Sequence, residues 1–231
     1  MSNETTRFER KFFVSDASFS YVEQVIKSNS AGFLEIYSPR FINNVYFDTF
    51  DLKNYFNNIE GLACREKFRV RWYGDMEGKL VSPLLEIKMK NGLLGEKYKY
   101  SVLPFETDVT ISDQDFGIIF NKSELPLFVR ETLKFMTPTL VNRYHRTYFQ
   151  SANKKFRVTL DRQMEFLDPT LAIKGFSNSF ADDENIVLEL KYDLLSEVEA
   201  AAITNEIPFR LTRNSKYVRG LQITRGGGGF D

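Results

Sequence analysis

Between Arg65 and Tyr73 every second residue up to Arg71 is a cation, with Arg65, Lys67, Arg69 and Arg71 alternating with Glu66, Phe68, Val70 and Trp72. Successive side chains of an extended chain point to opposite faces, so this segment sets four positive charges against a mostly apolar reverse side. The pattern recurs. Leu84–Lys90 places Glu86, Lys88 and Lys90 opposite Leu85, Ile87 and Met89. Lys155–Asp161 places Lys155, Arg157, Thr159 and Asp161 opposite Phe156, Val158 and Leu160, and Ile186–Tyr192 places Glu189 and Lys191 opposite Leu188 and Leu190. Arg7–Phe13, Lys97–Leu103 and Tyr144–Gln150 add Arg7, Glu9, Lys11, Lys97, Lys99 and Arg146. The polar faces together carry fourteen cations and four acids, leaving 17 basic and 27 acidic residues to the rest of a chain with 31 of each. An arginine fork chelates two phosphate oxygens and a lysine supplies a point charge, so the chemistry on offer is the grip of a polyanion. Like charges on neighbouring strands repel, which argues against a plain solvated face and for several strands lining one concavity.

The elements that must position these residues are those seven strands and the segments between them. In 231 residues, aromatics make up 15% and hydrophobic residues 42%, a globular composition weighted towards sheet. Helices fit the connections. Ser15 and Asp16 offer a cap for a helix carrying Phe19, Val22 and Ile26, and Asp48–Asn57 suits a short helix after a strand ending at Phe47. Pro126 opens a helical run to Met136, Ser196 with Glu199 forms a capping box, and Thr212 caps a last helix containing Lys216, Tyr217 and Arg219. Residues 172–184 read as a polar loop. The expected organisation is one domain over residues 1–224 and a flexible Gly-rich tail over 225–231.

Other chemistries are excluded by what is missing. The phosphate-binding Gly-rich loop ending in Lys-Ser/Thr, the His-Glu-x-x-His zinc motif and the Gly-x-Ser-x-Gly nucleophile turn are all absent. His145 is the one histidine, on the face opposite Arg146, so a histidine metal cluster cannot form. Cys64 is the one cysteine, which excludes an internal disulfide and fits a reducing compartment. No window approaches the ~18–20 apolar residues of a membrane span, and no signal peptide is visible, so the expected location is cytoplasmic. A metal would be hard and oxygen-bound, Mg²⁺ or Mn²⁺, on Glu9, Glu86 or Glu189.

Arg7-Phe-Glu9-Arg-Lys11 resembles the Glu-x-Glu-x-Lys strand of the triphosphate tunnel metalloenzymes, with arginine in place of the first acid. Tyr46-Phe-Asp48-Thr49, Lys67-Phe-Arg69-Val-Arg71, Glu86-Ile-Lys88 and Glu189-Leu-Lys191 follow in the order of that superfamily. Arg146-Thr-Tyr-Phe-Gln150, Phe156-Arg157-Val-Thr-Leu-Asp161, and Ser215-Lys216-Tyr217 ahead of Arg219-Gly220-Leu221 are similar to later motifs of its VTC (vacuolar transporter chaperone) branch, the polyphosphate polymerases. The resemblance implies an α+β fold: an antiparallel eight-stranded β-barrel enclosing a triphosphate tunnel, with flanking helices. It implies transfer of the terminal phosphate of ATP to a growing inorganic polyphosphate chain, with Mn²⁺ or Mg²⁺ as cofactor. Carried over, Lys11, Arg69, Arg71, Lys88, Arg146, Arg157 and Lys216 are the catalytic set. Arg7, Lys67, Lys90, Lys97, Lys99, Lys191, Arg213 and Arg219 bind substrate around them, and Glu189 holds the metal with Glu9 and Glu86. The implied partners are ATP and polyphosphate, with a membrane protein as a possible recipient of the product and no nucleic acid, since stacking aromatics do not alternate with the cations.

Two alternatives stay open at this stage. A tunnel-type triphosphatase would use water as acceptor and would benefit from more carboxylates than four, to hold a second metal. A non-catalytic module binding polyphosphate or inositol phosphate would have no use for Glu189.

Overall fold

The computed structural model describes residues 7–92, 94–107, 113–171 and 179–226. Residues 227–231 of the tail, 172–178 of the expected polar loop and the Arg7 side chain lie outside the described set. In chain order the elements are β1 (Arg7–Val14), α1 (Phe19–Lys27), β2 (Leu34–Asp48), α2 (Lys53–Ile59), β3 (Cys64–Tyr73), β4 (Gly78–Leu80), β5 (Leu84–Asn91), β6 (Leu94–Ser101) and β7 (Phe105–Thr107). There follow α3 (Asp113–Lys122), α4 (Leu127–Leu133), β8 (Thr137–Gln150), β9 (Arg157–Leu167), β10 (Phe180–Asp182), β11 (Ile186–Asp193), α5 (Glu197–Asn205) and α6 (Lys216–Arg225). None of these helices is long and apolar enough to cross a membrane.

An antiparallel sheet runs β1-β11-β9-β8-β2-β3-β5-β6, with β10 beside β9 and a separate β4-β7 ribbon. The expected closed eight-stranded barrel is therefore corrected to an open, strongly wrapped sheet. No backbone ladder joins the edge strands β1 and β6; instead Lys88 Nζ of β5 reaches Glu9 of β1 at 3.0 and 3.1 Å, so long charged side chains close the concavity.

Alternation sorts the strands into two faces. On the outer face Phe68, Val70, Trp72, Leu85 and Ile87 pack with Phe116 and Phe120 of α3 and with Val129 and Leu133 of α4. A second outer cluster joins Phe12, Phe149, Val158, Leu160, Leu188 and Leu190 to Val22 and Ile26 of α1 and Ala200 and Ile203 of α5. Burying such side chains on both outer flanks supplies the main drive to fold. A third cluster lies on the concave face, where Ile42, Tyr46, Leu140, Tyr144, Met164, Phe166 and Val187 receive Tyr217 and Leu221 of α6. A bulge makes this possible on β9. Gln163 takes φ 49° where the register with β8 shifts, which returns Met164 and Phe166 to the face that holds Asp161.

Several local expectations are corrected. Ser18, not Ser15 or Asp16, caps α1 by accepting the Tyr21 N–H. Ser196 precedes α5 without a side-chain cap, its backbone being outside the extended region of a capping residue, and Glu199 turns to Lys155 at 2.7 Å. The same pair takes Lys155 off the concave face. Ser215, not Thr212, caps α6, while the Thr212 N–H bonds the Lys11 carbonyl. Part of the expected polar loop is the strand β10. Asp48 ends β2 and is fully buried. Its carboxylate accepts the N–H groups of Thr49, Asn54 and Tyr55 and the Tyr217 hydroxyl at 2.5 Å, tying the start of α2 to α6.

α6 lies so close to the sheet that a methyl group on Gly220 would sit 2.5 Å from Leu140 Cδ2 and 2.7 Å from Phe166 Cδ1. Both neighbours are fully buried and have nowhere to turn. Gly220→Ala is expected to lower stability by about 1–3 kcal/mol in urea or thermal unfolding; an unchanged midpoint would show that α6 can lift away freely.

Candidate functional site

The concave face is organised by four carboxylates, each shared among cations from different elements. Glu86 of β5 is 4% exposed and takes Arg69 Nε at 2.8 Å, Arg69 Nη2 at 2.5 Å and Lys97 Nζ at 2.7 Å, with Arg71 Nη1 at 3.5 Å. Asp161 of β9, wholly buried, takes Arg146 Nε at 2.5 Å, Arg146 Nη2 at 2.7 Å and Lys216 Nζ at 2.5 Å. Glu9 and Glu189 form the third centre. Lys11 reaches both (3.5 and 3.3 Å), Lys191 reaches both (3.7 and 3.4 Å), and Lys88 holds Glu9.

Neutral groups fix the guanidinium planes between these centres. Arg71 Nε donates to Asn44 Oδ1 at 2.8 Å and its Nη2 to the Tyr144 hydroxyl at 3.0 Å. Arg69 Nη1 donates to the Tyr46 hydroxyl at 3.1 Å, and Lys216 Nζ lies 4.7 Å over the Tyr144 ring. Planar donors held in this way are preorganised for an incoming oxyanion.

Burial opposes the charge of every one of these acids, and the neighbouring cations prevail. Glu86 stays far below the usual carboxylate range because of Arg69, Arg71 and Lys97, and Glu189 stays well below it because of Lys191, Lys11 and Arg146. The converse case is Lys67. Burial, then the charges of Lys11, Lys88, Arg69 and Arg65, push its ammonium down to about 7. Its Nζ donates to Ser215 Oγ at 2.9 Å, and among the described residues it has no carboxylate partner. Lys97 is lowered to about 8 by burial and by Arg69 and Arg71, against the pull of Glu86. Cations in such straits are stabilised by an added anion.

The structure brings Lys11, Lys67, Arg69, Arg71, Lys88, Lys97, Arg146, Lys191, Lys216, Glu9, Glu86 and Glu189 into this connected network. Arg157 stands exposed on the same face, opposite Lys191 in register. Lys90 and Lys99 sit on the β5 and β6 parts of it, opposite Gly95 and Glu86. Arg213 is exposed in the connection before α6. Arg219 is engaged elsewhere, by Asp182 at 2.7 and 3.2 Å and over the Phe13 ring at 4.3 Å. Among the described residues no three acid, histidine or cysteine side chains gather as a metal site. Glu9 and Glu189 are the pair that fits one: lysines hold these two carboxylates at 3.0–3.7 Å, whereas Arg69 and Lys97 hold Glu86 at 2.5–2.8 Å.

Sequence reasoning missed the anchors. Asp161, Tyr46 and Ser215 stood only inside motifs of the resemblance with no role assigned, Tyr144 only as the start of a strand, and Asn44 carried no signal. The pairing of Arg146 with Asp161 is legible only from the β8–β9 register, where the two stand opposite each other.

The VTC domain family model matches residues 6–225. None of the curated proteins matches the sequence. Among solved structures, a candidate adenylate cyclase of Bacillus halodurans aligns with TM-score 0.54 and 13% identity, over 94% of this chain and 98% of its own. A candidate adenylate cyclase of Vibrio parahaemolyticus aligns with TM-score 0.51 and 12% identity, over 93% and 97%. A candidate adenylyl cyclase of Hippeastrum, described as having a dominant triphosphatase activity, gives 0.51 and 13%, over 94% and 97%. At these identities the likeness is one of fold, shared across nearly the whole chain.

Lys67 makes the stability of the fold pH-dependent. The folded chain holds this proton less tightly than the unfolded one, so Lys67 costs stability in full below pH 7, and the cost fades as pH rises from there towards the ordinary lysine range. An anion bound beside it reverses the effect. Titration calorimetry of tripolyphosphate near pH 8.5, in buffers of different ionisation enthalpy, is expected to show the parent taking up about one proton more than Lys67→Met, because Lys97 and the phosphates contribute to both alike; equal uptake would show that Lys67 carries none of it.

Proposed function

The chain belongs to the VTC domain family, and from this we propose that it is a polyphosphate polymerase, transferring the terminal phosphoryl group of ATP to the end of an inorganic polyphosphate chain. The observation that carries the reading is the division of labour among the carboxylates. Glu86 and Asp161 are consumed by Arg69, Arg71, Lys97, Arg146 and Lys216. Glu9 and Glu189, held only by lysines and at the longer distances of 3.0–3.7 Å, are the pair open to a divalent ion, with Arg7 where the superfamily pattern has a further acid. One pair of carboxylates suits a single Mg²⁺ or Mn²⁺ completed by phosphate oxygens, and offers nothing further to hold a second metal or orient a water.

Phosphoryl transfer asks chiefly for in-line positioning and neutralisation of oxygen charge. An oxygen of the chain-end phosphate attacks the γ-phosphorus of ATP. The bond from that phosphorus to the β–γ bridging oxygen breaks, ADP leaves with the electron pair, and the chain is one phosphate longer. Lys11, Arg69, Arg71, Lys88, Arg146 and Lys216 hold the phosphates of donor and acceptor. Lys67, Lys90, Lys97, Lys99, Lys191 and Arg157 extend the cationic path for polymer already made. The bound ion would polarise phosphate oxygens from Glu9 and Glu189.

Incubation with ATP and Mn²⁺ followed by gel electrophoresis is expected to give a ladder of phosphate chains; free phosphate without chains would identify a triphosphatase instead. Glu189→Gln should lower turnover by about 100-fold or more, with tripolyphosphate affinity kept or increased because a competing negative charge is gone. Full activity in that variant would exclude Glu189 as the metal ligand.

A further inference from the structure

Along β3 the concave face reads Arg65, Lys67, Arg69, Arg71 and then Tyr73. At about 3.3 Å per residue the row spans about 26 Å, with cations over most of it and an aromatic ring at one end. That end is not an isolated tyrosine. The Arg40 guanidinium lies 4.4 Å over the Tyr73 ring, 5.1 Å over the Tyr148 ring and 5.9 Å over the Tyr37 ring. Tyr37 and Tyr148 meet edge to face at 5.6 Å, and Arg40 Nε donates to the Tyr148 hydroxyl at 3.3 Å.

Three features separate this cluster from ordinary packing. Tyr37 is 53% and Tyr73 45% exposed, and neither belongs to any of the three apolar clusters. The ladder between β2 and β8 breaks register on both sides of Tyr37, between Glu35 and Tyr37 and again between Tyr37 and Arg40; such irregularities re-aim side chains and recur beside active sites. The cluster is also continuous with the anion-binding network: Arg40 stands opposite Arg146 in register, and Arg146 lies 6.0 Å from the Tyr148 ring. The rings and the Arg40 plane thus present flat, sequence-tolerant stacking surfaces where the row of phosphate-binding side chains begins.

We propose that Tyr37, Arg40, Tyr73 and Tyr148 form a nucleobase platform that stacks the base of the nucleoside triphosphate, while the triphosphate extends from Arg146 and Arg71 into the cationic face. The assignment rests on the nucleoside triphosphate reading above and gives the tunnel a direction. The base stays at the Tyr73 end, and the basic end at Arg65 and Lys90, which has no aromatic counterpart on β3, receives the phosphate chain.

The test compares ATP with inorganic tripolyphosphate, which has the phosphates and no base, by calorimetry in EDTA so that neither is turned over. Tyr37→Ala/Tyr73→Ala, both at exposed positions, is expected to weaken ATP by about 10- to 100-fold, the range of one lost base–aromatic stack, and tripolyphosphate by less than about twofold. Tyr73→Phe should bind ATP as the parent does. Equal weakening of both ligands, or of neither, overturns the platform, as does failure of the wild-type chain to bind either. The gel assay separates the two readings. Unchanged ATP affinity in a variant of a chain-making enzyme removes the platform and leaves the polymerase. Selective loss of ATP affinity in a protein that yields only free phosphate removes the polymerase and leaves the platform.

Discussion

Crowding cations inside a folded chain is the constraint to which everything else in this molecule answers. Two guanidinium groups or two ammonium groups brought together in a partly dry space repel each other and lose their hydration. The fold meets this with carboxylates placed where each is shared: Glu86 among three cations, Asp161 between two, Glu9 and Glu189 among Lys11, Lys88 and Lys191. The sharing is incomplete by design of the sequence, because the face carries far more bases than acids. Lys67, held to about 7 by its surroundings, is the residue in which that imbalance is most visible. A site of this kind is completed by an anion that arrives from outside.

The helix α6 converts a curved sheet into a site with a floor. Its Tyr217 and Leu221 fill one part of the concave face, its Gly220 permits near contact with Leu140 and Phe166, and its first residue, Lys216, reaches Asp161. The cap residue Ser215 accepts from Lys67, and the Asn214 carbonyl receives Lys11 at 3.4 Å. One helix start therefore touches three strands' worth of functional side chains. Asp48 secures it by binding the Tyr217 hydroxyl with the same carboxylate that accepts the N–H groups of Asn54 and Tyr55 in the first turn of α2. This explains why Asp48, which meets no cation in the network, belongs with the site all the same.

Closure by side chains rather than by a backbone ladder has a further consequence. β1 and β6 keep independent edges, and the bridge across the opening is electrostatic, from Lys88 of β5 to Glu9 of β1. Glu9 is also one of the two carboxylates available to a divalent ion. The group that fastens the seam of the concavity and the group that would hold the metal are the same residue, so filling the site and closing the sheet are physically linked.

The alternation of apolar and charged residues was enough, without coordinates, to define the strands, their two faces and the sign of the inner one, because side chains in a strand obey a strict period of two. It located Lys11, Arg69, Arg71, Lys88 and Glu189 on one face, and the order of motifs supplied the family. Local sequence failed where tertiary contacts override it: Ser18 and Ser215 cap in place of Ser15 and Thr212, Glu199 leaves its capping box for Lys155, and the long β2 showed only its last residues as a strand. Strand period cannot state which residue of one strand faces which of another. That register decided that Asp161 anchors Arg146 and that Glu86 is spent on Arg69, Arg71 and Lys97, and the irregularity around Tyr37 left Arg40 among three tyrosines.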